Sequence, residues 1–499
     1  MAKPLQLAIP LCLVLLSFLF HHECLAARPQ FESNQQNECQ IDQLQAREPD
    51  IQIDCEAGRI ESWDHYQNDF QCTGVAAQRV TIEPNGLHLP SYTHSPQLMY
   101  IVKGWGVMMT ALPGCPETFE LSQGSQQGQE EGQGFDDLER HQKVRLIGEG
   151  DIIAIPPGIV HWVHNNGNSP LVAVSLLDTG NDLNQLDRNP RRFYLAGNPA
   201  DEFNQHEGEG ISQQRRHSGQ GSNNNNIFAG FDASLLADAL NVDIETAMKV
   251  QGQNDQTRSQ IVRVEGKFGF LHPPIRSSHA QRTQQEQQDE QQGQQGRHDN
   301  GLGETLCNIA LKGYLGDPRR ADIYTPQAGH INILNSNDMP ILKQMSLSAE
   351  TGFLYNASSY IHNILFMYSF ANAIYSPHWN LFAHEIFYVI RGSARVQVVN
   401  DNGEAILDDE VREGQLFIVP HNHAVLQKAV DNQGFEYIAF KTQDNAVINT
   451  MAGRTSVLRA LPDNVLANAY QISQEEARML KYERQETLVL SSSSSSYSS

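Results

Sequence analysis

Two segments of this chain, 230 residues apart, share one pattern of apolar and polar residues. Residues 236–247 read LADALNVDIETA and residues 466–477 read LANAYQISQEEA, so apolar side chains recur at helical spacing in both. The repeat predicts two related helical segments, Ala233–Val250 and Val465–Lys481. Because one hydrophobic core rarely serves more than about 250–300 residues, we expect this 499-residue chain to form a globular unit ahead of each helical segment.

The regions ahead of both helical segments have the character of β-strands. Short apolar runs such as Leu98–Val102, Asp151–Ile155 and Ala394–Val399 are bounded by Gly and Pro. The predicted fold class is therefore mostly β, with two β-rich units that are each followed by a small helical segment.

Polar low-complexity stretches interrupt this pattern. Ser122–Gly134 contains only Ser, Gln, Gly and Glu, and nine of the fifteen residues in Gln281–Gln295 are Gln. Such segments bury too little apolar surface to offset their chain entropy, so we predict that they are disordered. The predicted organisation is an N-terminal unit over 28–252, a connecting segment over 253–300 that ends in the Gln-rich region, a C-terminal unit over 301–490 and a Ser-rich tail over 491–499.

The N-terminus has the pattern of a secretory signal peptide. Lys3 precedes the apolar run Leu11–Phe20, and the small residues Ala26 and Ala27 follow. About ten apolar residues are too few to cross a bilayer, which takes ~20. We therefore expect residues 1–27 to be removed and the rest of the chain to enter the secretory pathway with no membrane partner.

Charge and cysteine content argue against a nucleic-acid partner and against a cysteine-bound metal. The formal net charge of −23 disfavours nucleic acid as a partner, because a phosphate backbone is bound by a basic surface. In an oxidising compartment, cysteines are more often bridged than metal-bound, and the sequence has no CxxC pair. An odd set remains after signal removal, so one thiol should stay unpaired: Cys39, Cys55, Cys72, Cys115 and Cys307.

A strand–turn signature marks the first unit. Residues 150–165 read GDIIAIPPGIVHWVHN, which follows the pattern G-x5-P-x-G-x2-H-x3-N and carries His161 on the second strand. This pattern resembles the second motif of the cupin family, and the resemblance implies jelly-roll-like cupin barrels. In the second unit Gly414 and Pro420 match, whereas Asn422 replaces the Gly and Val425 replaces the His.

The first cupin motif, G-x5-H-x-H-x3,4-E-x6-G, supplies the remaining metal ligands of that family. The second unit keeps His378 and Glu385 but has Asn380 at the second His position. In the first unit His94 fits one His position, while Gln97 or Leu98 stands at the acidic position.

These ligand sets are incomplete. A non-haem oxygenase site needs at least two His and a carboxylate, but His94 and His161 lack a carboxylate and Glu385 has only His378. We therefore interpret all four as vestigial positions and predict no catalytic residue, no bound metal and no cofactor. The pair His421 and His423 is left as a candidate for adventitious copper or zinc.

A more specific resemblance lies at residues 300–307, NGLGETLC. This stretch resembles the legumin processing site N-G-[LI]-E-E-T-x-C, with Gly303 in place of one Glu. The stretches Pro113–Phe119, Gly86–Tyr92 and Asp322–Gly329 resemble the same family. On these motifs, the chain from about Cys39 to Leu490 is identified as a member of the 11S globulin (legumin-type) seed storage proteins.

That resemblance implies a storage role and a processing pathway. An asparaginyl endopeptidase of the seed's protein storage vacuole would cleave the Asn300–Gly301 bond, leaving two polypeptides. In family terms the disulfides are Cys39–Cys72 and Cys115–Cys307, so Cys55 is the odd thiol. The chain would be its own partner, as a trimer and, after cleavage, as a hexamer, with the helical segments at the trimer contacts.

Three features depart from the family pattern. Cys55 is additional to the two family bridges. Residues 301–499 hold 14 Lys and Arg against 20 Asp and Glu, whereas the corresponding family polypeptide is usually basic. The apolar stretch Asn356–Ala371 interrupts a family sequence that otherwise runs from Tyr355 almost directly to Asn372. We interpret this stretch as a retained intron, a faulty gene model or a genuine insertion, and the glycosylation sequon at Asn356 depends on which is correct.

Two other functions remain as alternatives to storage. A bicupin enzyme of the germin or dioxygenase type requires the complete ligand set that both units lack. A cupin that binds a small ligand or a metal in a barrel mouth requires only an apolar cavity with a few polar groups.

Overall fold

The computed structural model describes residues 41–112, 144–203, 226–252, 259–266, 309–355, 371–430 and 433–492. The strands up to the end of the first barrel are β1 (Ile51–Cys55), β2 (Gly58–Ser62), β3 (Val75–Ile82), β4 (Gly86–Thr93), β5 (Gln97–Lys103), β6 (Trp105–Ala111), β7 (Arg145–Gly148), β8 (Asp151–Ile155), β9 (Val160–His164), β10 (Leu171–Asp178), β11 (Arg192–Tyr194), β12 (Ile261–Arg263) and β13 (Lys312–Tyr314).

The second barrel follows β13 in the chain. Its strands are β14 (Ile323–Thr325), β15 (Gly329–Leu334), β16 (Ser348–Leu354), β17 (Ala371–Asn380), β18 (Glu385–Val399), β19 (Ala405–Arg412), β20 (Leu416–Val419), β21 (Ala424–Ala429), β22 (Phe435–Lys441), β23 (Ile448–Thr450) and β24 (Val489–Ser492). The helices are α1 (Asn68–Thr73), α2 (Ala233–Leu240), α3 (Ile244–Val250), a 3₁₀ turn (Pro318–Arg320), α4 (Ile341–Met345), α5 (Val457–Ala460), α6 (Asp463–Tyr470) and α7 (Gln474–Tyr482).

Both units have the strand order of a jelly roll. In the first, one sheet runs β1-β2-β3-β10-β5-β8-β13 and the other runs β11-β4-β9-β6-β7, with β12 on β4. In the second, β16-β22-β18-β20 repeats the order β3-β10-β5-β8, and β17-β21-β18-β19 repeats β4-β9-β6-β7. The prediction of two mostly-β barrels is confirmed at the level of strand order.

The last Gly of the first cupin motif is where the chain passes from one sheet to the other. Gly104 separates β5 from β6 with φ +82°, and Gly392 lies within the continuous strand β18 with φ +76°. A Cβ on Gly392 would lie 1.9 Å from the carbonyl oxygen of Gly434. Glycine is needed here for two reasons, its positive φ and the close approach of the neighbouring strand.

The second motif places a left-handed residue in a tight turn in both units. Gly158 has φ +75°, and Asn422, which replaces this Gly in the second unit, has φ +64°. Asn adopts the left-handed region more readily than most residues with a side chain. The substitution noted in the sequence therefore preserves the turn.

Each predicted helical segment is a pair of short helices. The first consists of α2 and α3 and the second contains α6 and α7, with a break at Asn241 (φ 53°) and Gln471 (φ 56°). These two residues are 230 apart, as in the sequence repeat. Asp243 and Ser473, at the same offset, cap the helices that follow, because their side chains accept hydrogen bonds from backbone N–H groups.

The two units exchange segments of chain. Residues 41–47, the N-terminal arm, lie on the second barrel: the Leu44 N–H donates to the Ile406 carbonyl (2.8 Å), and Arg47 and Leu416 exchange two backbone hydrogen bonds. Conversely, β13 pairs with β8 of the first barrel. One hydrophobic core accordingly contains residues of both units, including Leu98 and Phe440.

Candidate functional site

A small cavity of ≈ 20 Å³, with room for about one water molecule, lies between the two sheets of the first barrel. Its walls are mostly apolar, and the polar side chains on them include His88, His161, Gln97 and Arg192. Gln97 is the first residue of β5, as Glu385 is of β18, so the acidic motif position in this barrel holds Gln97. Its side-chain N–H donates to the Ser175 hydroxyl (2.9 Å).

The structure brings His161, but not His94, to this cavity. The half-buried His94 ring lies beyond the end of β4, with Nδ1 3.3 Å from the Arg191 carbonyl and Nε2 3.3 Å from the Ser95 hydroxyl. Sequence spacing aligned the wrong residue: the register places Ser91 opposite His161, as it places His378 opposite Val425, so Ser91 holds the His position of the motif in this barrel. The histidine that β4 contributes to the cavity is His88, whose ring stacks 6.3 Å from that of His161.

Both histidines in the cavity are neutral. Burial lowers the pKa of His161 from 6.5 to about 3 and holds the pKa of His88 well below its ordinary value, with the Arg192 charge acting in the same direction. Within the described part of the chain, neither ring nitrogen of His161 makes a well-formed hydrogen bond. The cavity therefore presents polar atoms without a well-formed hydrogen bond on a mostly apolar wall.

A buried ion pair lies at one side of the cavity. Arg192 Nε is 3.1 Å from Glu202 Oε2, and both side chains are almost fully buried. Glu202 also accepts hydrogen bonds from Gln78 and from the Tyr194 hydroxyl. Sequence reasoning missed these residues.

In the second barrel, His378 and Glu385 do come together. His378 Nε2 is 3.6 Å from Glu385 Oε2, and both side chains are completely buried. His378 Nδ1 lies 2.7 Å from the Ser376 carbonyl, which defines Nδ1 as the protonated nitrogen when the ring is neutral. Asn380, at the second His position, donates a hydrogen bond to Glu385 (3.3 Å).

A lysine completes this second cluster. Lys441 Nζ is 2.6 Å from Glu350 Oε2 and 3.1 Å from Glu385 Oε1, and all three side chains are buried. Glu350 Oε1 accepts hydrogen bonds from Tyr375 (3.0 Å) and Tyr437 (3.1 Å). Despite burial, the neighbouring ammonium lowers the pKa of Glu385 to about 2, and the carboxylates raise that of Lys441.

These side chains do not fit a metal ion. Among the described residues, no three His, Cys, Asp or Glu side chains are grouped so that they could hold one. In the second barrel, the carboxylate at the ligand position is already paired with Lys441, and in the first Gln97 supplies no charge. His384 and His421 lie close together, with ring centroids 4.9 Å apart, but within the described residues neither these two nor His423 belongs to a group of three side chains that could hold a metal ion.

The cysteines are described only in part. Cys55 is a free, half-buried thiol whose pKa is raised by burial, which agrees with its assignment as the odd cysteine. Cys72 is disulfide-bonded. The remaining predicted positions lie outside the described residues: residues 1–27, Cys39, Cys115, Cys307, Asn300, Gly301 and Asn356.

No helix within the described ranges is long and apolar enough to span a membrane. Apolar side chains are instead exposed on the two helical segments. Leu235 is 68% exposed and Ile244 49% in the first, and Val465 is 48% and Tyr470 56% in the second.

Comparison with known proteins agrees with this architecture. The cupin family model matches residues 44–201 and 314–478. Two curated relatives are 50% identical to the chain: prunin 1 Pru du 6 of Prunus dulcis, with 97% of both chains covered, and the 11S globulin seed storage protein 1 of Carya illinoinensis, with 100% of this chain and 99% of the relative covered. The crystal structure of procruciferin, an 11S globulin from Brassica napus, has a TM-score of 0.74 at 41% identity and covers 92% of this chain and 99% of its own.

The chain is thus a bicupin, with two cupin barrels in one polypeptide. It belongs to the 11S globulin family of seed storage proteins.

Proposed function

We propose that this protein is a nitrogen, carbon and sulfur reserve of the seed and has no catalytic activity. The family supports this role, since close relatives are named seed storage globulins. The observation that carries the proposal is the state of the two barrels: the polar groups at the old ligand positions are paired with residues of this chain or buried beside neutral histidines. Such interiors contribute to packing and leave no activated water or nucleophile.

Accumulation in the seed tests the storage role. The protein should be abundant in protein storage vacuoles of mature seed, which it would reach through the endoplasmic reticulum, and it should disappear during germination. Immunoblots of developing seed, seedling and leaf measure this directly. A low, constant level in leaves and seedlings would contradict the proposal.

Cleavage by an asparaginyl endopeptidase at Asn300–Gly301 is the second part of the proposal. The Gln-rich sequence before this bond is of the kind that proteases cut in extended form. Two polypeptides linked by Cys115–Cys307 should therefore separate only on a reducing gel, whereas Cys39–Cys72 stays within one of them. A single band of unchanged mass with and without reductant would refute both the cleavage and the linkage.

Self-association into trimers, and into hexamers after cleavage, is the third part. The exposed apolar side chains of α2–α3 and α6–α7 form two related surfaces, including Leu235 and Tyr470. Two related surfaces on one chain can pair head to tail and close a ring. Leu235→Asp should yield monomers in sedimentation velocity, whereas Leu186→Asp, at a leucine 57% exposed outside these helices, should not.

The segment Asn356–Ala371 is proposed to be absent from the functional protein. The described residues on its two sides are neighbours, because the Ala373 N–H donates to the Tyr355 carbonyl (3.1 Å). A transcript that joins Tyr355 directly to Asn372 would support this proposal, and a transcript that encodes the whole segment would refute it.

The alternative function, a small ligand held in a barrel, is favoured by one observation. The first cavity has buried polar atoms without a well-formed hydrogen bond on Gln97 and His161, although at ≈ 20 Å³ it has room for about one water molecule and a larger ligand would have to widen it. Native mass spectrometry of protein purified from seed should show a bound mass, and His161→Phe should remove it. Protein without added mass would leave storage as the sole proposal.

A further inference from the structure

The second barrel contains a buried cation in the cluster where the cupin motif would place a metal ion. Glu385 occupies the carboxylate position of the motif, and its partner is the Lys441 ammonium, 3.1 Å away. The same ammonium is 2.6 Å from Glu350, so one cation lies between two carboxylates. We infer that the Lys441 ammonium takes the place of the metal ion, cross-linking the strands of the second barrel and closing it to divalent cations.

The arrangement of the strands supports this inference. Glu350, Glu385 and Lys441 belong to β16, β18 and β22, which are neighbours in one sheet. A metal ion would hold these strands together by binding carboxylates from two of them. The ammonium does the same with hydrogen bonds, and its covalent tether to β22 prevents its loss.

Electrostatics makes some cation obligatory at this position. Glu350 and Glu385 are at most 2% exposed, and an unpaired carboxylate in such an environment is strongly destabilising. Among the described residues, no other Lys or Arg forms an ion pair with either carboxylate. The hydroxyl groups of Tyr375 and Tyr437 donate to Glu350 but carry no positive charge.

The first barrel also contains a buried cation, but on a different strand. Its buried cation is Arg192 on β11, paired with Glu202. The register shows that the two cations are not equivalent positions. Lys441 lies opposite Glu385 in the second barrel, and the equivalent pair in the first barrel is Leu177 and Gln97. Arg192 lies opposite Thr93 in the first barrel, and the equivalent pair in the second barrel is Ile448 and Asn380. Each barrel therefore carries its own cation, placed independently.

The test removes the ammonium in two ways in the full chain. Lys441→Ala deletes the charge and opens space between two carboxylates, whereas Lys441→Met deletes the charge but fills the space. Mn²⁺ alone is the probe, because carboxylate and water ligands suit it. Binding is followed by the loss of the electron paramagnetic resonance signal of free Mn²⁺ and by the melting temperature with and without Mn²⁺.

We expect Lys441→Ala to bind one Mn²⁺ per chain and to gain several degrees of melting temperature when Mn²⁺ is present. The wild type, Lys441→Met, the double variant Lys441→Ala/Glu385→Gln and the surface control Lys343→Ala should show neither effect. A folded Lys441→Ala chain that binds no Mn²⁺ overturns the inference.

Measurements on the wild-type chain test the inference without depending on the folding of any Lys441 variant. If the wild-type chain binds one Mn²⁺ and loses it on Glu385→Gln, the ammonium does not exclude the metal and the inference fails. If Lys441→Ala folds only when Mn²⁺ is present during refolding, the inference is supported, because the metal has replaced the missing charge.

Discussion

The exchanged segments predict that the two polypeptides formed by cleavage at Asn300–Gly301 stay together without their disulfide. The C-terminal polypeptide would carry β13 and its flanking leucines, Leu311 and Leu315, which are 1% and 4% exposed in the core that includes first-barrel residues. Backbone hydrogen bonds join Ala154 N to the Leu311 carbonyl (2.7 Å) and Leu315 N to the Gly150 carbonyl (2.8 Å). Reduction removes none of these contacts.

The strength of this attachment follows from the burial of the two leucines. Replacing a buried Leu by Ala costs roughly 2–5 kcal/mol, so Leu311→Ala/Leu315→Ala should cost about 4–10 kcal/mol. That amount is comparable with the ~5–15 kcal/mol total stability of a typical domain. The N-terminal arm adds to the attachment through Leu44, which is 2% exposed against the second barrel.

Size-exclusion chromatography of the cleaved protein in reducing buffer, with increasing urea, provides the assay. The wild type should elute as one species without urea, and the double variant should separate at a distinctly lower urea concentration. Leu183→Ala/Leu186→Ala is the matched control, because these leucines are 42% and 57% exposed. Separation of the wild-type polypeptides by reductant alone would refute the reasoning.

Three further predictions concern the barrels. Arg192→Met leaves Glu202 buried without its cation and should lower the free energy of unfolding by roughly 3–5 kcal/mol in urea titrations; a loss below ~1 kcal/mol would contradict this. The pKa of His161 is about 3 in the folded chain and ~6.5 in the unfolded chain, so the unfolded chain takes up the proton first as pH falls. The free energy of unfolding present above pH ~6.5 is therefore lost as pH falls towards 3, by up to about 1.4 kcal/mol per pH unit. His161→Gln should reduce that slope between pH 6 and pH 4, and identical slopes would disprove the assignment. Gly392→Ala places a Cβ 1.9 Å from a carbonyl oxygen and should lower the melting temperature far more than Gly403→Ala, which has a similar φ but no atom within 4 Å; equal losses would show that strain in φ, not the contact, dominates.

Much of the candidate site was outside the reach of sequence reasoning. Motif spacing correctly assigned His161, His378 and Glu385 to the barrels, because Gly and Pro fix where those strands begin. It misplaced the β4 histidine, because the register puts Ser91 opposite His161, as it puts His378 opposite Val425, so the motif position of the first barrel holds Ser91. His88, which lines the cavity, lies outside the motif, and a spacing rule has no means of finding it.

The sequence by itself determined the β-barrel repeat, its helical endings and its left-handed turns, because these depend on local periodicity and on the special backbone of Gly and Asn. Only the tertiary structure decided which groups meet inside each barrel. Lys441 and Glu350 are separated by 91 residues and carry no motif, yet they become partners since antiparallel pairing places their strands side by side. The same holds for β13, whose place on the first barrel depends on contacts that no local pattern encodes.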